Sequence, residues 1–393
     1  MDREELIVKD GEYGVATHER YPVALERGQG ARLFGSDEKE YIDFASGMGV
    51  NTLGYGNWHW ASAIGAQAVR LQQGSNLCYS GPNTELAELL CVRAGMNAAL
   101  LTDCGSEANE AMLQMARKYS FDKYGRGRGT VITLQNSFHG QTIAGLAASG
   151  RTDCHKYFFP FPDGFRYAEV NEIESVREMG GDDVCAVLIE LVQRDGIVML
   201  DQEFVHQIAL LCAEKDWLLL VDEVETGAGR TGSLFAYQQY GILPDAVSFG
   251  AGLANGLPLG GVLTGEKCRG VLREGVHPRA FGGNTVSCAG AQVVLQELDD
   301  KALEEVKLKG EFMRDYLAGL RSPYVKEIRG LGLMLGLEVQ ETSAGELAKK
   351  LEAAGLLTLT AGEDVLCLLP PLTVSKDEII AGLSILQRVL KEA

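Results

Sequence analysis

Residues 218–261 read LLLVDEVETGAGRTGSLFAYQQYGILPDAVSFGAGLANGLPLGG, and this stretch decides the fold. The run 217–221 is apolar throughout, the pattern of a parallel strand covered on both faces. It ends in two acids, Asp222 and Glu223, at the point where open α/β sheets place their ligand sites. A glycine-rich turn (Gly227, Gly229, Gly232) and a short helical segment over 234–240 follow. A second buried strand, Ala246-Val247-Ser248-Phe249, then runs into another glycine-rich turn, Gly250-Ala251-Gly252-Leu253.

Outward from this core, strands and helices alternate between about residues 82 and 283. Strands are expected over 98–102, 130–134, 185–191, 217–221, 246–249 and 259–264, with helices over 106–119 and 202–214. Such alternation predicts an α/β fold with a mostly parallel central sheet covered by helices. Before it, the alternating runs 21–25, 31–35 and 41–44 predict a small sheet, and 58–73 has helical spacing. After it, helices over 289–298, 303–320, 346–354 and 376–390 and strands over 325–329 and 333–339 predict a smaller α+β domain. The expected division is an N-terminal segment, 1–49, that joins the small domain; a large domain, 50–284; and the C-terminal small domain, 285–393.

The 393 residues are 46% hydrophobic and 23% charged, ordinary for a globular protein. A formal charge of −18 disfavours nucleic acid as a partner. No apolar run reaches the roughly 20 residues of a membrane helix. Met1 to Glu5 are acidic with no apolar core, so no signal peptide is expected. Nine cysteines lie singly in apolar contexts without a C-x-x-C, which predicts reduced thiols, no metal site and a cytoplasmic location.

Several motifs carry chemistry. Asp103-Cys104-Gly105-Ser106-Glu107-Ala108-Asn109-Glu110 follows a strand and opens a helix, whose free N–H groups suit a phosphate; the plain structural alternative is a cap by Ser106 or Asp103. With Ser137-Phe138-His139-Gly140-Gln141-Thr142, Glu190-Leu191-Val192-Gln193-Arg194-Asp195-Gly196-Ile197, the Asp222 turn and Cys367-Leu368-Leu369-Pro370-Pro371-Leu372, it resembles the class III, fold-type I aminotransferases that use pyridoxal phosphate. The acetylornithine and ornithine aminotransferases are the nearest in pattern. Ser46–Tyr55 and Ser75–Tyr79 resemble further segments of the same family, and the likeness covers residues 13 to about 388.

The resemblance implies roles. Gly105 and Ser106 would cup the cofactor phosphate, Phe138 and Val224 would cover the two ring faces, and Asp222 would hold the ring nitrogen. His139 and Glu225 belong to the same cofactor group, with Glu225 replacing a glutamine near the ring hydroxyl. Glu190 persists from the family, and it, Glu225 or His139 is the group left to act as a base. The departures are as telling. The family's Schiff-base lysine is Ala251. Its substrate arginines are Gln141 and Cys367, its acidic loop has become Arg194 to Ile197 with Asp195 inside it, and its phosphate threonine is Ala280, beside Arg279.

A methyl group can neither form a Schiff base nor move a proton. Transamination between N-acetylornithine or a similar ω-amino compound and 2-oxoglutarate is therefore expected to be impaired or lost. Pyridoxal or pyridoxamine phosphate would bind without a covalent bond, if at all. Two other readings stay open: altered chemistry on an anionic small-molecule ligand in the same pocket, or an active aminotransferase whose lysine was deliberately replaced. The family also implies a homodimer with sites at the interface, or a heterodimer with an intact paralogue.

Overall fold

The computed structural model describes residues 3–153, 155–277 and 280–392, and omits the side chain of Ala251. Seven strands form the central sheet: β1 (Ala98–Thr102), β2 (Thr130–Leu134), β3 (Phe165–Ala168), β4 (Val184–Ile189), β5 (Leu218–Glu223), β6 (Ala246–Phe249) and β7 (Gly260–Thr264). Their spatial order is β1-β7-β6-β5-β4-β2-β3. The run β6-β5-β4-β2-β3 is parallel, and β7 lies antiparallel between β6 and β1. Every residue of β2, β4, β5, β6 and β7 is buried. Helices on both faces require this, so these strands read as unbroken apolar runs.

Strand register places the chemistry. Asp222 lies opposite Ser248 and Glu223 opposite Phe249, while Val221 faces Ile189. The acids, the turn after β6 and the Glu190 loop thus emerge together at the carboxyl ends of three adjacent parallel strands. The helix Gly105–Tyr124 crosses this sheet, burying Ala108, Asn109, Ala111, Met112, Met115 and Ala116 along one stripe. It runs past the expected end at 119 because nothing breaks it before Gly125, whose φ is 78°.

The N-terminal sheet pairs Leu25–Gln29, Arg32–Gly35 and Glu40–Asp43, and Leu356–Leu357 joins it in parallel beside Glu40–Asp43. The expected strand over 21–25 is displaced: regular pairing begins only at Leu25, after irregular backbone around Pro22. A second sheet orders Val325–Leu331, Met334–Val339, Val365–Leu368 and Leu359–Thr360, all antiparallel. The helix Thr285–Glu297, capped by Asn284, packs on the helices Trp58–Arg70 and Gly81–Ala94. Several elements carried too little pattern to be anticipated: the exposed helix Arg3–Tyr13, β3, and the Val192–Gln193 and Val198–Met199 hairpin.

The helix expected over 234–240 shrinks to Tyr237–Tyr240. Its approach is held instead by Glu223, whose carboxylate accepts from the Ala236 and Tyr237 N–H groups at 2.8 and 2.7 Å and from the Thr226 hydroxyl at 2.7 Å. Glu223 is fully buried, and burial pushes its pKa up to about 7. The two neighbouring acids therefore divide their work, Glu223 bracing the turn and Asp222 facing the pocket.

Candidate active site

Asp222 is 4% exposed and sits among four polar contacts. One carboxylate oxygen, Oδ1, accepts from the Val224 N–H at 3.0 Å and the Ser248 hydroxyl at 3.1 Å. The other, Oδ2, accepts from Asn109 Nδ2 at 2.6 Å and lies 2.8 Å from His139 Nδ1. An Nδ1–H aimed at the carboxylate satisfies both groups and leaves Nε2 as the imidazole acceptor. His139 is fully buried, and its Nε2 and Asn109 Oδ1 meet no hydrogen-bond partner among the described residues. Buried polar atoms left open beside a held carboxylate mark a place where a polar ligand completes the network.

The helix Gly105–Tyr124 begins without a side-chain cap. Cys104, at its N-cap, is extended with φ −157° and its side chain makes no cap hydrogen bond, while Glu107 Oε2 accepts from the Asp103 N–H at 2.8 Å. First-turn N–H groups and the positive dipole end at this helix start suit an anion. Ser106 Oγ accepts from the Gln141 N–H at 3.4 Å. A Cβ on Gly105 would lie 2.4 Å from Val224 Cγ1, and one on Gly250 would lie 2.9 Å from the same atom. Val224 thus packs directly on the helix N-terminus and on the turn that carries residue 251. Backbone at 251 opens a short 3-10 turn, Ala251–Ala254, immediately beyond β6.

Glu190 ties together two loops. Its Oε2 accepts from the Phe138 N–H at 2.9 Å and its Oε1 from the Arg194 N–H at 3.3 Å. Burial, and then the charge of Asp222, hold its carboxyl well above the usual range. Of the expected bases it is the one fixed by two backbone contacts, which suits positioning of Phe138 and Arg194.

The remaining wall departs from what the sequence suggests. Arg194 Nε lies 3.5 Å from Glu225 Oε1, and both side chains are about 30% exposed (30% and 29%). Its guanidinium carbon stands 5.9 Å from the centre of the Phe138 ring, at the limit of a cation–π contact. Burial raises the Glu225 carboxyl despite the opposing pull of Arg194. Asp195 turns away to an ion pair with Arg151, which also holds Asp153. Ile197 and Cys367 are buried in one apolar cluster with Val192, Met334, Val365 and Leu369. Burial pushes the Cys367 thiol up to about 12, so this position offers a neutral wall in place of a cation. Gln141 is exposed.

One cation of the pocket carries no expectation from the sequence. Arg230 is buried and donates to the carbonyls of Leu333, Pro370 and Gly49 at 3.2, 2.5 and 3.3 Å. Burial lowers its pKa to about 10, still a cation at neutral pH. An arginine among turn glycines, between Gly229 and Gly232, is the only local sign of it. Its partner Gly49 closes a turn, Ser46 to Gly49, whose φ values all lie between 47° and 80°. Ser46 Oγ donates to the Leu369 carbonyl at 2.6 Å and pins that strained turn to the C-terminal sheet.

Other expected site residues do not join this cluster. Ala280 is exposed, and its carbonyl accepts from Gln73 Nε2 at 2.9 Å. Arg279 and the Ala251 side chain lie outside the described residues. The segment Ser75–Tyr79 is on the surface, with Leu77 and Tyr79 fully extended into solvent. Asn109 and Ser248, two partners of Asp222, are visible only once register and helix face are known. Among the described residues no group of three or more His, Cys, Asp or Glu could hold a metal, and no helix is long and apolar enough to cross a membrane.

The sequence model of the family described as Aminotransferase class-III matches residues 13–390. The acetylornithine aminotransferase of Haemophilus ducreyi is 41% identical over 395 residues, covering all of both chains. Among solved structures, the ornithine aminotransferase of Toxoplasma gondii, described with partial occupancy of PLP at its active site, superposes with a TM-score of 0.95 at 28% identity, covering 99% of this chain and 94% of that one. The N-acetylornithine aminotransferase of Stenotrophomonas maltophilia K279a superposes at 0.85 with 32% identity, covering 98% of each.

Proposed function

This chain belongs to the class-III aminotransferases, and from that premise we propose that it keeps a non-covalent site for pyridoxal or pyridoxamine phosphate but has lost the family's amino transfer between N-acetylornithine and 2-oxoglutarate. One observation carries the reading: residue 251, in the turn behind Val224, is alanine, and no lysine appears among the described contacts of the pocket.

The residues present fit the cofactor apart from its attachment. When bound, it supplies an amine carrier and an electron-withdrawing ring. Asp222, fixed by His139, Asn109 and Ser248, would accept from the ring nitrogen and keep it protonated. Phe138 and Val224 would flank the ring, and the first turn at Gly105 and Ser106 would hold the phosphate. Glu225 would face the ring hydroxyl with a carboxylate where an amide is usual. No amine is placed at 251 to take a proton from substrate, and positioned acid–base catalysis is worth about 10²–10⁴-fold. Pairing of two copies about a two-fold axis, with Ala280 and Arg279 near the neighbour's phosphate, is part of the proposal. So is a cytoplasmic location.

The test uses the purified full chain with added pyridoxal phosphate. Amino transfer from N-acetylornithine to 2-oxoglutarate should not exceed the cofactor-only background, and borohydride followed by denaturation should leave no cofactor on the chain. Turnover, or a permanently attached cofactor, overturns the reading.

A further inference from the structure

We propose that the cavity beside the edge strand β3 binds a quaternary ammonium group, held by aromatic ring faces and by one carboxylate. It shares no lining residue with the Asp222 or Arg194 walls, so the inference stands apart from the reading under Proposed function.

The cavity measures about 440 Å³, the size of a small-molecule site. Four rings line it: His155, Phe159, Phe161 and Tyr167. His155 lies 5.3 Å from Phe161 and 5.6 Å from Tyr167, centre to centre, and Phe159 lies 5.1 Å from Phe161. The planes of these pairs are tilted by 57°, 46° and 73°. Rings stacked face to face would cover one another, whereas rings tilted this far leave electron-rich faces open. Phe159 is 72% exposed, so most of its ring stands in water. Two of the rings are pinned in place. The Tyr167 hydroxyl donates to the Ala147 carbonyl at 2.6 Å, and His155 Nε2 lies 2.9 Å from the Leu146 carbonyl, which calls for the Nε2–H tautomer.

Charge selects the ligand. Among the described lining residues there is no lysine or arginine, and Asp163 supplies a carboxylate. Arg117, whose guanidinium carbon stands 5.0 Å from the Phe165 ring centre, is not a lining residue. It is committed to the Gly129 and Asp163 carbonyls at 3.2 and 3.0 Å. A chain of formal charge −18 also draws cations toward its surface. A cation over an aromatic face is attracted by the ring quadrupole. A primary ammonium brings three N–H groups, and phenylalanine and proline side chains offer them no acceptor. A quaternary ammonium has no N–H to satisfy, and its methyl groups match the rings and the flanking Pro160 and Pro162. The cavity therefore selects a methylated ammonium over a primary one, and over a neutral molecule of the same shape.

Calorimetry on the purified full chain tests this with choline, ethanolamine and 3,3-dimethylbutan-1-ol, the uncharged isostere of choline. Choline should bind saturably, about tenfold more tightly than either comparison compound. Phe161→Leu keeps an apolar side chain but removes a ring face, and should weaken choline about fivefold. Phe159→Leu, at an exposed position, serves as a second variant that leaves the packing intact, with a similar loss expected. Asp163→Asn should cost about threefold. No saturable binding of choline, equal binding of the uncharged isostere, or unchanged affinity in both ring variants overturns the proposal.

Discussion

The two walls of this pocket are built differently. The Asp222 wall comes from strand ends and a helix N-terminus. Its carboxylate takes contacts from Val224, Ser248, Asn109 and His139, and its packing leaves no room for a Cβ at Gly105. The Arg194 wall comes from loops and from the C-terminal sheet. There one solvent-reached ion pair, a neutral thiol and apolar side chains stand where the family pattern has arginines and an acidic loop. Register and close packing over-determine the first wall, so changing it would cost the fold. The second can be re-dressed residue by residue while the scaffold stands, which is how one fold comes to serve different ligands.

If this contrast is right, the largest effect on stability comes from the first wall. Asp222→Ala strands a buried imidazole and a buried amide and should lower the unfolding free energy by about 3 kcal/mol, measured in urea. A loss below ~1 kcal/mol would show that the network is not the constraint described.

A smaller effect follows from Glu223. Its carboxyl is raised in the folded chain to about 7 from an ordinary value of 4.5, so folding favours its protonated form. Its contribution is greatest below the unfolded value and is lost as pH rises through the folded one. Glu190 and Glu225 are shifted the same way. Thermal unfolding should therefore come at lower temperature as pH rises from 5 to 8. Glu223→Gln should remove its share of that slope, on the order of 2 kcal/mol. An unchanged slope in the variant would assign the dependence to the other acids.

The smallest effect belongs to the second wall. Arg194→Gln should change stability by less than about 1 kcal/mol, as expected of a partly exposed pair. A larger loss in urea unfolding would mean that Arg194 supports the fold.

Much of this was legible before any coordinates. Unbroken apolar runs marked the buried strands, and the motif at Gly105 marked a helix start. Asp222 and Glu223, however, look alike in sequence. They separate because successive strand residues point to opposite faces, one toward Asn109 and the other toward Thr226 and Tyr237. The link between Ser248 and Asp222 needed the register of two strands. The Arg194–Glu225 contact joins two loops with no periodic signal, and Arg230 finds all three of its partners far along the chain.

That last residue has a consequence for biogenesis. Arg230 reaches a carbonyl 181 positions before it and another 140 positions after it. During synthesis the central sheet can assemble while the later partner is still unmade, so the guanidinium waits, hydrated, for its carbonyl. Docking of the Pro370 segment onto Arg230 is then a late, long-range step in maturation.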